Sequence, residues 1–317
     1  MNISLLEPLG IDVSLIEQFA KQVEALGHTF TYYPTKTTDA EELIRRSKGQ
    51  HIVMIANTPY PDRVVEASDD LAMIAVAFTG IDHVGLKACK QKGVEVLNCA
   101  GYSDRAVSEL VIGLTLSLLR KIGEGDKAVR QGLTSAGLMG SEIGGKTVGI
   151  IGCGRIGFQT AKLFLAFGAK VLAYGRTPKA EQEKEGVVYT DLETLLKESD
   201  IVSLHLPNTP QTKGFLDKEK LALMKEGALF INCARGPIVD TKALAEVLNE
   251  GKITAALDVF DTEPPLASDY PLVTARQTLL TPHVAFLTKE AMVRRSVTEF
   301  DNVLSYLNGE VKNRCTF

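Results

Sequence analysis

The sequence predicts an α/β protein made of two doubly wound parallel sheets, and three observations carry that prediction. Short β-rich runs alternate with amphipathic segments along nearly all 317 residues, as repeated βαβ units require. The runs fall into two groups, five before residue 100 and six after residue 146, with a long helical pattern and a glycine-rich passage between them. At 45% hydrophobic and 23% charged residues, the chain has enough apolar material for two cores.

The first group of strands is ISLLEPL (3–9), TFTYY (29–33), HIVMIAN (51–57), MIAVAFTG (73–80) and VEVLNC (94–99). Between them lie SLIEQFAKQVEALG, TDAEELIRRSKG and VGLKACKQKG, the first and last closing on glycine as helix C-termini do. Five strands with intervening helices predict a small flavodoxin-like domain. The spacing then predicts one long helix from about Ser103 to Val129 and an interdomain loop at GLMGSEIGG. The second group is TVGIIG (147–152), KVLAYG (170–175), DIVSLHL (200–206), ALFINCA (228–234), AALDVF (255–260) and TLLTPH (278–283). Six strands make a complete Rossmann dinucleotide-binding fold, with a cleft expected between the two domains. Beyond His283 the pattern is again helical and could return to the first domain.

Several function classes fall away. Thirty-five basic and thirty-nine acidic side chains leave a net charge of -4 with no run of five or six like charges, so no nucleic-acid partner is expected. The longest apolar run, Leu110 to Leu119, is half a bilayer span, so no membrane association is expected. The N-terminus enters a strand without a basic and apolar leader, which points to the cytoplasm. Five scattered cysteines without CxxC spacing read as thiols, with no disulfide framework and no metal site.

Gly152-Cys153-Gly154-Arg155-Ile156-Gly157 satisfies GxGxxG between the strand TVGII and a helical pattern that closes at Gly168. Gly152 permits the turn, Gly154 lets a pyrophosphate approach the backbone, and Gly157 lets helix and strand pack closely. The end of the next strand would carry a carboxylate if it were to grip the ribose hydroxyls of NAD. It carries Gly175-Arg176-Thr177-Pro178-Lys179 instead. Arg176, Thr177 and Lys179 suit a 2′-phosphate, which favours NADP(H) and leaves NAD(H) possible.

Three later strand ends each deliver a polar group: Arg235 after ALFINCA, Glu263 before Pro264-Pro265, and His283 after TLLTP. Ligands of open α/β sheets bind beyond the carboxyl ends of strands, so the three would meet in one crevice. Reduction of a 2-oxo acid needs a cation for the carboxylate and carbonyl and a proton donor for the alkoxide, tasks that fit guanidinium and imidazolium. A carboxylate bonded to the imidazole would orient it and favour its protonated form. Spacing alone leaves other roles open: a surface ion pair, a loop cap and a structural histidine.

The segment DIVSLHLPNTPQTKGFLDKEKLALMKEGALFINCARGPIVD (200–240), with GCGRIG, ALDVFDTEPP and TPHVAF, closely resembles the D-isomer-specific 2-hydroxyacid dehydrogenases over roughly residues 70 to 300. The resemblance implies Arg235 as substrate clamp, His283 as general acid/base, Glu263 as its partner, and Asp258 as the residue on the nicotinamide amide. It implies further cofactor contacts at Val107, Arg155, Ile156, His205, Pro207, Cys233 and Ala234. It also implies a discontinuous first domain, 1–99 with 287–317, around a dinucleotide domain at 100–286, and a homodimer joined through the helices after residue 100. The substrate carboxylate would rest on backbone amides of VAFTGIDH (76–83), at Thr79 and Gly80.

Within the family, GIDH and Gly175-Arg176 look more like the glyoxylate/hydroxypyruvate reductases, implying a small 2-oxo or 2-hydroxy acid as the partner molecule. The short forms of 3-phosphoglycerate dehydrogenase, an alternative, resemble RAGTGVDN where this chain has Val76 and no arginine. Glu263 argues against formate dehydrogenases, which resemble this pattern with glutamine. Phe286 departs from the small residue that such reductases commonly carry after the histidine. Cys153 and Cys233 read as small apolar strand-end residues. A non-enzymatic dinucleotide-sensing scaffold is the competing class, and the complete Arg/Glu/His set speaks for an enzyme.

Overall fold

The computed structural model describes residues 1–317. In chain order the elements are β1 (Asn2–Leu5), α1 (Val13–Ala25), β2 (Thr29–Tyr32), α2 (Ala40–Ser47), β3 (Ile52–Ile55), α3 (Asp62–Glu66), β4 (Met73–Val76), α4 (Leu86–Lys92), β5 (Glu95–Asn98), α5 (Asp104–Leu119) and α6 (Ile122–Arg130). There follow β6 (Thr147–Ile151), α7 (Arg155–Ala166), β7 (Lys170–Tyr174), α8 (Ala180–Lys184), β8 (Val187–Tyr189), α9 (Leu192–Glu198), β9 (Ile201–Leu204), α10 (Lys218–Ala222), β10 (Leu229–Asn232), α11 (Thr241–Asn249), β11 (Thr254–Leu257), α12 (Pro271–Thr274), β12 (Thr278–Leu280) and α13 (Lys289–Leu307). The chain forms two compact units, Met1–Ser103 with Leu287–Phe317, and Asp104–Phe286.

The first unit holds a five-stranded parallel sheet in the order β2-β1-β3-β4-β5, the flavodoxin arrangement. β3 and β4 are buried at every residue, as central strands covered by helices on both faces must be. The strands are shorter than the apolar runs that predict them. ISLLEPL leaves the ladder after Leu5, while Leu6 and Leu9 stay fully buried in the following loop, so apolar character outlasts β pairing there. Residues 100–103, expected with the second domain, belong to the first: the Tyr102 carbonyl accepts from Arg294 Nε at 2.9 Å, and its ring lies 6.0 Å from Phe78.

The second unit holds a seven-stranded parallel sheet in the order β12-β11-β10-β9-β6-β7-β8, the Rossmann order with one added strand at the far edge. The direction in which successive strands are added reverses between the parallel neighbours β6 and β9, where Ile151 registers with Leu204. Successive residues of β10 feed opposite cores: Phe230 joins Leu204, Leu244 and Leu257 on one face, while Leu229 and Ile231 join Ile150, Phe164 and Val111 on the other. The sequence reading missed β8 because it is three residues long and half exposed on an edge. The long helix expected from Ser103 to Val129 is two helices. Lys121 takes a left-handed backbone (φ 49°) between α5 and α6, and the bond from Ser141 N–H to Leu119 O draws the later loop against the break.

Candidate active site

The glycine turn is built as its spacing requires. β6 runs into Gly152 at φ 96°, and a Cβ on Gly157 would lie 2.2 Å from the Gly152 carbonyl oxygen, so only glycine lets α7 start this close to the strand. Gly154 caps α7 and has nothing within 4 Å of where a Cβ would stand, which leaves the helix N-terminus open to an approaching phosphate. This cradle fits a dinucleotide pyrophosphate. Arg155 projects from the first turn with its side chain 73% exposed and Nε donating to Asp104 at 2.9 Å, and Ile156 is half-buried beside it.

At the end of β7, Arg176, Thr177 and Lys179 are all exposed. The loop is tied to the glycine turn from below. Gln182 Nε2 donates to the Cys153 carbonyl at 3.3 Å, and Tyr189 of β8 donates to Gln182 Oε1 at 2.6 Å. Sequence reasoning passed over this brace, because a glutamine and a tyrosine in an unassigned segment carry no motif. Burial pushes the Cys153 thiol up, with the Tyr189 hydroxyl and the Lys179 charge acting against it.

Across the switch point, the His205 backbone N–H donates to Ile151 O and its Nε2 lies 2.9 Å from Ser203 Oγ. Desolvation holds the His205 pKa down to about 4, so the ring is neutral near pH 7. Pro207 follows, exposed. Cys233 and Val107 are buried in one apolar cluster with Cys153 and Ala285. Burial pushes the Cys233 thiol well above its ordinary value, so it behaves as a small apolar residue rather than a nucleophile.

Asn232, which the sequence reading did not single out, shapes the next turn. Its Oδ1 accepts from Ala234 N–H at 2.9 Å, and its Nδ2 donates to the Arg235 carbonyl at 3.1 Å. An asparagine at a strand end ahead of a turn was the available signal. Arg235 is half-buried, with Nη1 donating to Ala234 O at 2.8 Å. After it, a Cβ on Gly236 would stand 1.9 Å from the Phe260 carbonyl carbon, so the Arg235 turn lies directly against the backbone leading from β11 to Glu263.

Glu263 and His283 meet: Nδ1 is 3.1 and 3.0 Å from the two carboxylate oxygens. The imidazole side chain is 18% exposed and the carboxylate 73%. His283 sits at φ 55°, a strained region for a side chain of this size, and Asp258 holds it there. Asp258 is completely buried. Its Oδ1 accepts from Thr281 Oγ1 at 2.6 Å and Val284 N–H at 2.9 Å, its Oδ2 accepts from Ala285 N–H at 2.8 Å, and its carbonyl accepts from His283 N–H at 2.8 Å. Burial raises its pKa against those bonds. The observed partners of Asp258 are therefore the residues of the loop that carries His283. Phe286 stands edge-on to the His283 ring, centroids 5.4 Å apart at 85°.

In the first unit, the loop Val76–His83 follows β4 at the carboxyl edge of the sheet. Thr79 is exposed and Gly80 half-buried. Cys99 N–H donates to Phe78 O at 2.9 Å and Asn98 Nδ2 to Thr79 O at 2.8 Å, so the loop's carbonyls are turned toward the protein.

A family profile described as "D-isomer specific 2-hydroxyacid dehydrogenase, NAD binding domain" matches residues 112–285. The chain is 36% identical to a hydroxypyruvate reductase of Blautia hydrogenotrophica over 92% of its own length and 93% of that protein. It is 39% identical to a glyoxylate reductase of Thermofilum pendens over 86% and 82% respectively. Other relatives carry the name D-3-phosphoglycerate dehydrogenase. Among solved structures, an acyclic imino acid reductase in complex with NADPH and D-Arg superposes with a TM-score of 0.90 at 29% identity, covering all of both chains. The chain belongs to the D-isomer-specific 2-hydroxyacid dehydrogenase family and is an NAD(P)-dependent oxidoreductase acting on CH–OH groups.

Proposed function

We propose that this enzyme reduces a small 2-oxo acid of the glyoxylate or hydroxypyruvate kind, with NADPH preferred over NADH. The observation that carries the reading is the hydrogen-bonded pair His283–Glu263 on the same sheet edge as Arg235. The dinucleotide supplies the hydride when bound. The Arg235 guanidinium holds the substrate carboxylate and polarises its carbonyl, and in the first unit the backbone amides at Thr79 and Gly80 are offered to a substrate carboxylate. Glu263 engages Nδ1 of His283 and orients the ring, and the imidazole supplies the proton to the forming alkoxide.

NADPH preference is supported by the exposed Arg176, Thr177 and Lys179, and by the absence of a carboxylate at the end of β7. A small, unphosphorylated substrate is supported by two relatives' names and by Val76 lying fully buried within β4. A homodimer is supported by α6 and the segment after it: no residue of α6 is buried, and Ile122, Val129, Leu133 and Met139 are exposed by 56%, 75%, 61% and 90%.

The test follows the nicotinamide absorbance of purified protein with NADPH or NADH against glyoxylate, hydroxypyruvate, pyruvate, phenylpyruvate and 3-phosphohydroxypyruvate. Turnover of one small acid, faster with NADPH, is expected. Preference for the phosphorylated acid would replace the substrate reading, and tight nucleotide binding without turnover would replace the enzyme by a scaffold.

A further inference from the structure

We infer that Arg295, on the C-terminal helix α13, is a positioning residue for the loop Val76–His83, acting through the Phe78 ring and the Leu9 carbonyl. The inference rests on the proposal that this loop takes the substrate carboxylate.

Three contacts define the arrangement. The guanidinium carbon of Arg295 lies 5.5 Å from the Phe78 ring centroid, and its Nη2 donates to Leu9 O at 2.8 Å. The Arg295 backbone carbonyl accepts from the Cys99 thiol at 3.3 Å, and Cys99 N–H in turn donates to the Phe78 carbonyl. Phe78 is thus held at both ends, its ring by the Arg295 side chain and its carbonyl by a residue tied to the Arg295 backbone. Leu9 follows β1 and Phe78 follows β4, so one side chain joins two loops on the carboxyl edge of the sheet, the edge where open α/β folds bind ligands.

The chemistry argues for a task beyond packing. Arg295 is 6% exposed on a helix face that also buries Met292, Ser296, Glu299 and Phe300; Glu299 offsets part of its charge, and burying a guanidinium is still costly where methionine or leucine would fill the space. Only a planar cation can stack on Phe78 while directing an N–H at Leu9. Thr79 and Gly80, whose amides are proposed to meet substrate, come directly after the ring it holds.

The test compares Arg295→Met, Arg295→Lys, Phe78→Leu, Arg295→Met with Phe78→Leu, and Thr79→Pro, which removes one loop amide. KM and kcat are measured for hydroxypyruvate and glyoxylate, with NADPH Kd and thermal midpoint alongside. Arg295→Met is expected to raise KM about 10-fold with kcat within about threefold and NADPH Kd unchanged, Arg295→Lys to restore part of the loss, and Phe78→Leu to reproduce it. The double variant should be no worse than either single one. Unchanged KM in Arg295→Met, parallel loss of kcat and thermal midpoint, or additive losses in the double variant would each overturn the inference. If Arg295→Met does not fold, Arg295→Lys decides: unchanged KM there overturns it too. A raised KM in Thr79→Pro with a normal Arg295→Met removes the inference and keeps the loop reading, whereas a silent Thr79→Pro removes both.

Discussion

Nδ1 of His283 faces the carboxylate of Glu263 almost symmetrically, 3.0 Å from Oε2 and 3.1 Å from Oε1. A carboxylate can only accept, so this nitrogen carries the proton and the ring orientation is set. With Glu263 largely exposed, the pair adds little to stability, and its value lies in aiming Nε2. Glu263→Ala should lower kcat by about 10- to 100-fold with the thermal midpoint within a degree or two, and Glu263→Gln, which can still accept from Nδ1, should lose less. Steady-state kinetics on the two variants separate orientation from charge. Equal activity in all three proteins would remove Glu263 from the site.

The backbone of Arg235 is held by Asn232 and by the close packing of Gly236, and the proposed role of its guanidinium is a planar, two-point grip on the substrate. Arg235→Ala should reduce kcat/KM by at least about 100- to 1000-fold, because both positioning and charge stabilisation go. Arg235→Lys should recover only part of it, since an ammonium cannot bridge carboxylate and carbonyl together. NADPH affinity, measured by fluorescence titration, should not change in either variant. Near-normal reduction by Arg235→Ala would overturn the assignment.

Asp258 accepts four hydrogen bonds from the loop that carries His283 at φ 55°. Asp258→Asn keeps the shape but points an NH2 group at a backbone N–H or a hydroxyl that needs an acceptor. At least one buried bond is then lost, at a cost of about 1–3 kcal/mol. Thermal melts should show that loss, and kcat should fall with it as His283 moves. A variant with the wild-type midpoint and rate would show that Thr281, Val284 and Ala285 do not depend on this carboxylate.

Much of this was legible before any coordinates. The glycine turn could be read because strand, glycines and helix are contiguous, and the meeting of Glu263 with His283 because both follow strands of one sheet. What escaped were interactions between segments distant in sequence. β8 is short, and the path from Tyr189 through Gln182 to the Cys153 carbonyl needs three separate elements. The engagement of Asp258 by the backbone of Val284 and Ala285 joins a strand end to a loop 26 and 27 residues later. Arg295 and Glu299 sat unnoticed in a helical pattern where charged residues ordinarily face water.

The cofactor preference has a direct test at the end of β7. Arg176 is exposed, and in the proposed reading it meets the 2′-phosphate, a charge that NADH lacks. Arg176→Ala should weaken NADPH about 10-fold or more, on the scale of one lost charge-assisted contact, and leave NADH within about twofold. Competitive titration of both nucleotides on one preparation gives the ratio directly. Equal losses would mean that Arg176 acts on the loop as a whole, and the NADPH argument would fall with it.

Glu299 gives the clearest pH dependence of stability. It is completely buried one helical turn from Arg295, and neither carboxyl oxygen has a hydrogen-bond partner. Burial pushes its pKa well above the ordinary 4.5; the charge of Arg295 opposes this and that of Glu7 adds to it. A raised folded pKa means that the folded protein keeps a proton which the unfolded chain releases above about pH 4.5. The contribution of this group is therefore fully present below that pH and is lost as pH rises toward the folded value. Glu299→Gln, neutral at every pH, removes the dependence. Its thermal midpoint should exceed that of the wild type by about 2–4 °C at pH 8, with the difference closing toward pH 4.5. Using the difference between the two proteins cancels groups such as Glu42, whose pKa of about 2 shapes the acid limb of both. A constant offset across the range would show that Glu299 ionises in the folded protein as freely as in the unfolded chain.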